Sequence, residues 1–464
     1  MEATKNTGKT KTIIYWIINI LLPVLVVVLI PTNDTITMQI KLYIAVTLFA
    51  ILTFIFENFN RTAIALLLPI VYVILVGCDA SDVFSSWTGS IPWYMIGGLL
   101  LAVILDRIGL LKRIAYNVIL LTGATYKGII LGIAIVGIIL YLFIPGNTVF
   151  PMAALSFGIC KALDLKPGKA SGGIMITAAV FSLSLQCMFY SSSYGILENL
   201  AASITGDVGL SWIDFPLYNL PQLGYLALLV LGIFLFFKPE VKIDGKEYFR
   251  GELQKMGKIT VAEIKAIVVL ILLFAGVLTV NWHGINAMWL FAIAPIALYI
   301  PGVNVGTEED VKNVNWSMII FATGCMSIGT TAAGLGIGTI IKDALLPYLE
   351  DKNIIMIFFI AFILIFVLNL LLTPNAIQSV LTVPMVEIFM SLGVSVPVTY
   401  FFMLNALDQI ILPYQIPLYL IFFSFGMIRL KDFIKYFSYK SVVNLVWMLI
   451  VMIAYWKLIG IFWA

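Results

Sequence analysis

Of the 464 residues 62% are hydrophobic and 11% charged, with a mean hydropathy of +1.07, whereas a soluble domain carries about 25% charged residues. This composition excludes a soluble fold. A net charge of +3, with lysines and arginines scattered between apolar runs, excludes a nucleic-acid surface and makes those cations topology signals.

The chain opens on a short basic stretch, Met1 to Lys11, followed by an apolar run that is too long for a cleaved signal peptide and lacks an Ala-x-Ala exit. A retained first span is expected. A helix needs about 20 mostly apolar residues to cross the hydrocarbon core. Runs bounded by polar or Pro/Gly punctuation predict eleven spans, near 13–31, 38–56, 62–78, 91–108, 173–205, 221–237, 264–280, 286–301, 314–337, 396–427 and 441–460. Two further apolar stretches, 127–163 and 353–392, are interrupted at mid-length by Pro beside Asn and read as re-entrant helical hairpins.

With the N-terminus inside, all but Lys41, Lys342, Lys352 and Lys457 of the 27 lysines and arginines fall on the inner side. Had either hairpin crossed fully, that asymmetry would collapse. The N-terminus is thus expected in the cytoplasm and the C-terminus on the far side of a plasma or inner membrane. The four cysteines, Cys78, Cys160, Cys187 and Cys325, show no CxxC spacing, and with one histidine, His283, they indicate neither a disulfide framework nor a metal centre.

The polar linker 238–263 separates two similar halves, 38–237 and 264–464, behind an N-terminal segment and first span, 1–37. The stretch SWTGSIPWYMIGGLLLAVILDRIGLLKRIA precedes the first interruption and NWSMIIFATGCMSIGTTAAGLGIGTIIKDAL the second, with Trp87 and Trp316 at nearly equal distances from Asn147 and Asn375. An odd number of crossings between corresponding elements makes the halves inverted repeats, the plan of many secondary transporters.

The interruptions themselves are Ile144 to Met152 (IPGNTVFPM) and Leu372 to Val380 (LLTPNAIQSV). Proline breaks the backbone ladder, and freed helix ends at membrane depth persist only where they line a cavity or are buried in protein. Freed N–H groups hold anions, freed carbonyls small cations. Two more breaks follow in register: Ser191 to Ser193 beside Gly195, and the two prolines in Asp408 to Tyr419. Ser182 and Ser184 read as bonding to the preceding turn. Asp408, next to Gln409, and Glu198 are the ionisable groups of interest, Asp408 as a candidate coupling group. No lysine or arginine stands in the middle of a predicted span, so an anion is expected to be held by helix dipoles and neutral donors.

These residues resemble the divalent anion/sodium symporter family, the dicarboxylate and citrate carriers of a wider ion transporter superfamily. Its two hairpin tips carry Ser-Asn-Thr, matched here by Gly146-Asn147-Thr148 and Pro374-Asn375-Ala376. Its Gly-Ser/Thr-Pro-Pro-Asn breaks match Ser193-Tyr194-Gly195-Ile196-Leu197 and Ile416-Pro417-Leu418-Tyr419. The resemblance covers nearly the whole chain. It implies an all-α polytopic fold with scaffold and moving transport domains, a homodimer in lipid, a di- or tricarboxylate-like anion held between the tips, an elevator cycle, and two flanking sodium sites. It assigns Gly146, Asn147, Thr148, Pro374, Asn375, Ala376, Ser193, Tyr194 and Pro417 to the substrate. Asn147, Asn375, Ser191, Ser192, Ser193 and Gly195 fall to the ions. Serine is lost from both tip triplets, threonine from the second, and Pro-Pro-Asn from both breaks. Sodium-independent exchange, proton coupling through Asp408, and an oxyanion or arsenite-type exporter of the same superfamily stay open. No enzymatic activity and no cofactor beyond coupling sodium ions are expected.

Overall fold

The computed structural model describes residues 2–464 apart from 57, 58, 207, 209, 240–242, 350 and 371; side chains are described except at 2–13, 55, 61, 281, 414 and 417. A chain that must satisfy its backbone in lipid does so within helices. Among the described residues β-structure is confined to two isolated bridges, Thr125 to Asp244 and Val394 to Trp463.

Six helical segments among these residues have the length and hydropathy to cross a membrane: Ala80–Arg107, Tyr126–Phe143, Lys169–Thr205, Val261–Leu278, Trp316–Gly334 and Leu430–Leu458. Other runs read from the sequence form shorter apolar helices, among them Ile14–Leu29, Met38–Phe54, Thr62–Val76, Gln222–Phe236, Ala287–Tyr299 and Val396–Leu407.

At the first Pro-Asn interruption the helix Tyr126–Phe143 stops and Val149–Ala162 begins. Both arms lie along the next helix, Lys169–Leu183, in opposite directions. On the first arm Tyr126 meets Gly173 and Gly137 meets Phe181. On the second, Cys160 reaches the Ser171 carbonyl and Thr148 the Ser182 carbonyl. The arms are therefore antiparallel to each other, and the break is a tip.

The second interruption separates Ile354–Asn369 from Pro374–Ser391. Phe358, near the start of one arm, packs with its ring centroid 4.7 Å from that of Phe389, near the end of the other, so this segment also folds back.

Reciprocal packing relates the two halves. Ser90–Arg107 packs on Ala287–Ile293 from the other half, while Trp316–Gly334 packs back on Arg61–Val71. Each contact is close enough to need glycine: a methyl group on Gly97 would strike the Phe291 carbonyl, and one on Gly324 the Ala65 carbonyl.

Buried carboxylates tie residues before the linker to the linker end and to the segment after it. Arg107 Nε lies 2.5 Å from Asp310 Oδ1, its Nη2 2.8 Å from Oδ2, and the same Nη2 donates to the Val305 carbonyl at 2.6 Å. Arg113 Nε lies 2.6 Å from Glu263, which closes a capping box with Thr260 at the start of Val261–Leu278. The polar linker is not a free tether, because its helix Lys246–Met256 packs on Leu110–Leu121 and the Gly245 amide donates to the Ala124 carbonyl.

One sequence expectation is overturned here. The last span does not begin after Lys440; the helix runs unbroken from Leu430 to Leu458, with a π turn at Met448–Met452, and Lys440 is wholly buried inside it. A lysine within an apolar protein interior is tolerated when paired, but in a hydropathy pattern it reads as punctuation.

Candidate functional site

The first tip is a tight turn at Ile144 to Thr148. Pro145 supplies no N–H, Gly146 adopts a left-handed φ of +77° that favours glycine, and the Asn147 amide closes the turn on the Ile144 carbonyl at 2.9 Å. Tyr94 donates its hydroxyl to the Pro145 carbonyl at 3.1 Å, and buried Thr148 donates to the Ser182 carbonyl at 3.1 Å. The tip is thus docked on the end of Lys169–Leu183, where the helix gives way to a 3-10 turn at Ser184–Cys187 and restarts as Ser192–Thr205.

Ser191 caps that restart by accepting from the Tyr194 amide. Ser192 faces the tip, its Oγ close enough that a methyl group on Gly146 would crowd it. The Asn147 carboxamide is buried against Gly98 of Ser90–Arg107, and beyond a 3.4 Å contact to its own Pro145 carbonyl it bonds to nothing among the described residues. The hydroxyls of half-buried Ser192 and Ser193 likewise have no partner among those residues.

The second tip repeats the plan with different chemistry. Asn369 donates to the Leu407 carbonyl at 3.1 Å, and Gln415 donates to the Asn369 carbonyl at 2.8 Å while accepting from the Ile411 and Leu412 amides. The tip therefore sits on the break that follows Val396–Leu407. Pro374 occupies the first turn of Pro374–Ser391, as its missing N–H permits. Asn375 is half-buried with no side-chain bond, Ala376 is buried, and the Thr373 hydroxyl is buried without a partner, all among the described residues. The Pro417 side chain lies outside the described ones.

Helix Ser192–Thr205 bridges the two systems, packing on Ser90–Arg107, Trp316–Gly334, Pro374–Ser391 and Val396–Leu407, while Ser184–Cys187 packs on Val396–Leu407. Four helix N-termini, those of Val149–Ala162, Ser192–Thr205, Pro374–Ser391 and Pro417–Ser424, begin at these tips and breaks. Their free N–H groups and partial positive charge are suited to an anion. A 270 Å³ cavity opens beside Gly195 between Ser90, Ile91, Asn286, Glu198 and Asn199. Gly195 lies one turn from Ser192, and a methyl group on it would strike the Ile91 side chain and crowd Met288 and Tyr190.

Several sequence candidates fall into place differently. Tyr194 is wholly buried among Tyr190, Phe215, Tyr400 and Phe401, so its ring belongs to an aromatic cluster. Ser182 bonds back to the Ala178 carbonyl, as read from the sequence, whereas Ser184, read the same way, makes no such bond among the described residues. Asp408 is not an isolated carboxylate: its Oδ2 lies 2.7 Å from Lys440 Nζ, with both side chains buried. This corrects the expectation that no lysine stands inside a span. The surrounding amides, Asn369, Asn405, Gln415 and Asn444, escaped sequence reading, although polar residues in apolar helices are their signal.

A family model described as "Sodium:sulfate symporter transmembrane region" matches residues 10–462. Inner membrane protein YbhI of Escherichia coli (strain K12) is 22% identical over 301 residues, covering 61% of this chain and 62% of that protein, so the chain matches less than two thirds of its relative. The solved structure of MtrF from Neisseria gonorrhoeae, described as illuminating a class of antimetabolite efflux pumps, superposes with a TM-score of 0.58 at 13% identity, over 93% of this chain and 96% of that one. That likeness is one of fold.

Proposed function

The chain belongs to the divalent anion/sodium symporter family and is a multi-pass membrane transporter, and from this footing we propose that it is a secondary transporter of a small organic anion, di- or tricarboxylate-like, working by an elevator cycle. The observation that carries the reading is that each hairpin tip presents an asparagine, Asn147 held only by a 3.4 Å bond to the Pro145 carbonyl and Asn375 with no side-chain bond among the described residues, and each tip docks on the break of the helix that follows it. Two tips, two breaks and the helix N-termini that begin at them make a site of neutral donors and positive dipole ends, the chemistry that holds a carboxylate without a salt bridge.

The reciprocal packing through Gly97 and Gly324 supports reading the halves, 38–237 and 264–464, as inverted repeats. In the elevator reading the hairpins and broken helices move as one body against the remaining helices of a homodimer. The distribution of lysine and arginine supports a cytoplasmic N-terminus in a plasma or inner membrane. Gly146, Thr148, Pro374, Ala376 and the backbone around Ser193 shape the anion pocket. Asn147 and Ser191 to Gly195 supply neutral oxygens for a coupling cation at the first break. A sodium-independent exchanger is the second reading, favoured by the ammonium group at the second break.

Uptake of labelled succinate, citrate, sulfate and arsenite into proteoliposomes, with sodium or choline outside, tests the proposal. Asn147→Ala and Asn375→Ala are each expected to abolish uptake of the preferred anion while keeping a wild-type elution profile and unfolding midpoint. Normal transport by both variants sinks the site.

A further inference from the structure

The helix Val396–Leu407 ends in mid-protein, and the last carbonyls of a helix have no partner within it. All four are taken here. The Asn405 carbonyl accepts from Asn444 Nδ2 and Gln409 Nε2, both at 2.9 Å. Those of Ala406 and Leu407 accept from Asn369 Nδ2 at 3.5 and 3.1 Å. That of Asp408 accepts from Lys440 Nζ at 2.6 Å, and the same ammonium lies 2.7 Å from the Asp408 carboxylate. Lys440 and Asn444 stand one helical turn apart on Leu430–Trp447, so one face of that helix caps the broken end.

A helix C-terminus with a carboxylate beside it is a place for a cation, since partial and full negative charge coincide. The cation present is covalently attached. At the first break no lysine or arginine bonds to the backbone at 182–191 among the described residues; the Ser182 carbonyl accepts from Thr148 and the Ser191 hydroxyl from the Tyr194 amide. The two breaks therefore differ in that a lysine takes a freed carbonyl at the second and none does so at the first.

We infer that Lys440 is a tethered cation, which fills the cation position at the second break so that no dissolved alkali ion binds there, leaving the first break as the one open to a coupling ion. Burial of such a pair is weak evidence of a stabilising role, because taking two charges out of water often costs more than their attraction returns relative to well-packed apolar residues. The assignment rests on reading the breaks as part of the transport site, but its central claim concerns cation occupancy and is measurable without transport.

Purified wild type, Lys440→Ala, and Asp408→Asn combined with Lys440→Met are unfolded thermally in choline, sodium and ammonium chloride at constant ionic strength. Lys440→Ala exposes the Asp408 carboxylate and carbonyl, so its midpoint is expected to rise progressively with sodium or ammonium over choline, as binding to the folded state requires. The neutral double variant retains no carboxylate, and its sodium and ammonium response is expected to match that of wild type. In proteoliposomes Lys440→Ala is expected to lose uptake at least about tenfold in choline and to regain part of it in sodium or ammonium. Recovery of folded Lys440→Ala only when it is purified in sodium or ammonium also supports the assignment. A Lys440→Ala response to these cations no greater than that of wild type, its recovery in none of the salts, or an added response in the double variant overturns it. If the thermal effect appears but no uptake is measured for wild type, the transport reading fails and the tethered cation stands.

Discussion

The Asn147 carboxamide is pressed against Gly98, so closely that a methyl group on Gly98 would overlap its Nδ2, while the neighbouring Gly97 is pressed against the backbone carbonyl of Phe291. Adjacent glycines on one helix thus guard different things. Gly98 makes room for the end of a side chain, which can swing, and Gly97 makes room for main chain, which cannot.

Gly98→Ala is therefore expected to change the unfolding free energy by less than ~1 kcal/mol, with helix propensity offsetting the displaced amide, yet to lower uptake at least about tenfold by moving Asn147 off its position. Gly97→Ala is expected to destabilise by about 1–3 kcal/mol through overpacking, lowering the yield of folded protein with a smaller effect on uptake per folded molecule. Thermal unfolding in detergent and uptake normalised to folded protein separate the two. Equal effects from both substitutions would remove Asn147 from the site.

The Pro-Asn interruptions were legible because proline and asparagine in an apolar run have a direct backbone consequence: the helices end at Phe143 and Asn369 and restart at Val149 and Pro374. What each tip docks on was not legible. Thr148 reaching Ser182, and Asn369 reaching Leu407, depend on how the arms pack along the following helices, and no local pattern encodes that. Lys440 was missed for a different reason. Hydropathy treats a lysine as a boundary, and its partner Asp408 is distant in sequence, so a buried pair looks like one exposed cation and one puzzling acid. Gly97 and Gly98 were visible as a pair but not as separate roles, since both are small residues in an apolar helix.

Gln415 holds the second break together by accepting from two backbone amides, Ile411 at 2.7 Å and Leu412 at 2.6 Å, while donating to the Asn369 carbonyl. Gln415→Leu orphans all three groups and is expected to cost about 2–4 kcal/mol. Gln415→Glu keeps the one oxygen that accepts both amides, and in acid, where the protonated carboxyl can donate to the Asn369 carbonyl in place of the amide, a smaller loss is expected. Chemical denaturation of the two variants checks the order; equal stability of Gln415→Leu and wild type would mean the break is held by other contacts.

Asp310 lies outside the apolar spans, where burial pushes its carboxyl up but the Arg107 guanidinium and the Thr307 amide and hydroxyl outweigh burial and hold it below the ordinary range. A carboxyl lowered on folding contributes stability that is fully present above its unfolded value, about 3.9, and is lost as pH falls through the lower folded value. Wild type is thus expected to exceed Asp310→Asn by about 1–3 kcal/mol at neutral pH, with the gap closing in acid. Parallel melts of the two proteins from pH 7 to pH 3 read the gap directly; a gap that stays constant across that range would show that the Asp310 charge contributes nothing.

Thr148 is the sharpest test of docking at the first tip, because its hydroxyl makes the bond that joins the tip to the end of Lys169–Leu183, and the residue is wholly buried. Thr148→Val removes that hydroxyl at nearly constant shape and leaves the Ser182 carbonyl without this donor, an expected cost of about 1–3 kcal/mol. Thr148→Ser keeps the donor and loses a buried methyl group, at a cost of ~1 kcal/mol. If docking positions Asn147 for the anion, Thr148→Ser transports nearly as wild type and Thr148→Val does not, even where the two melt at similar temperatures. Uptake in the opposite order would mean that the methyl group, through packing, sets the tip, and that the hydroxyl bond is incidental to transport.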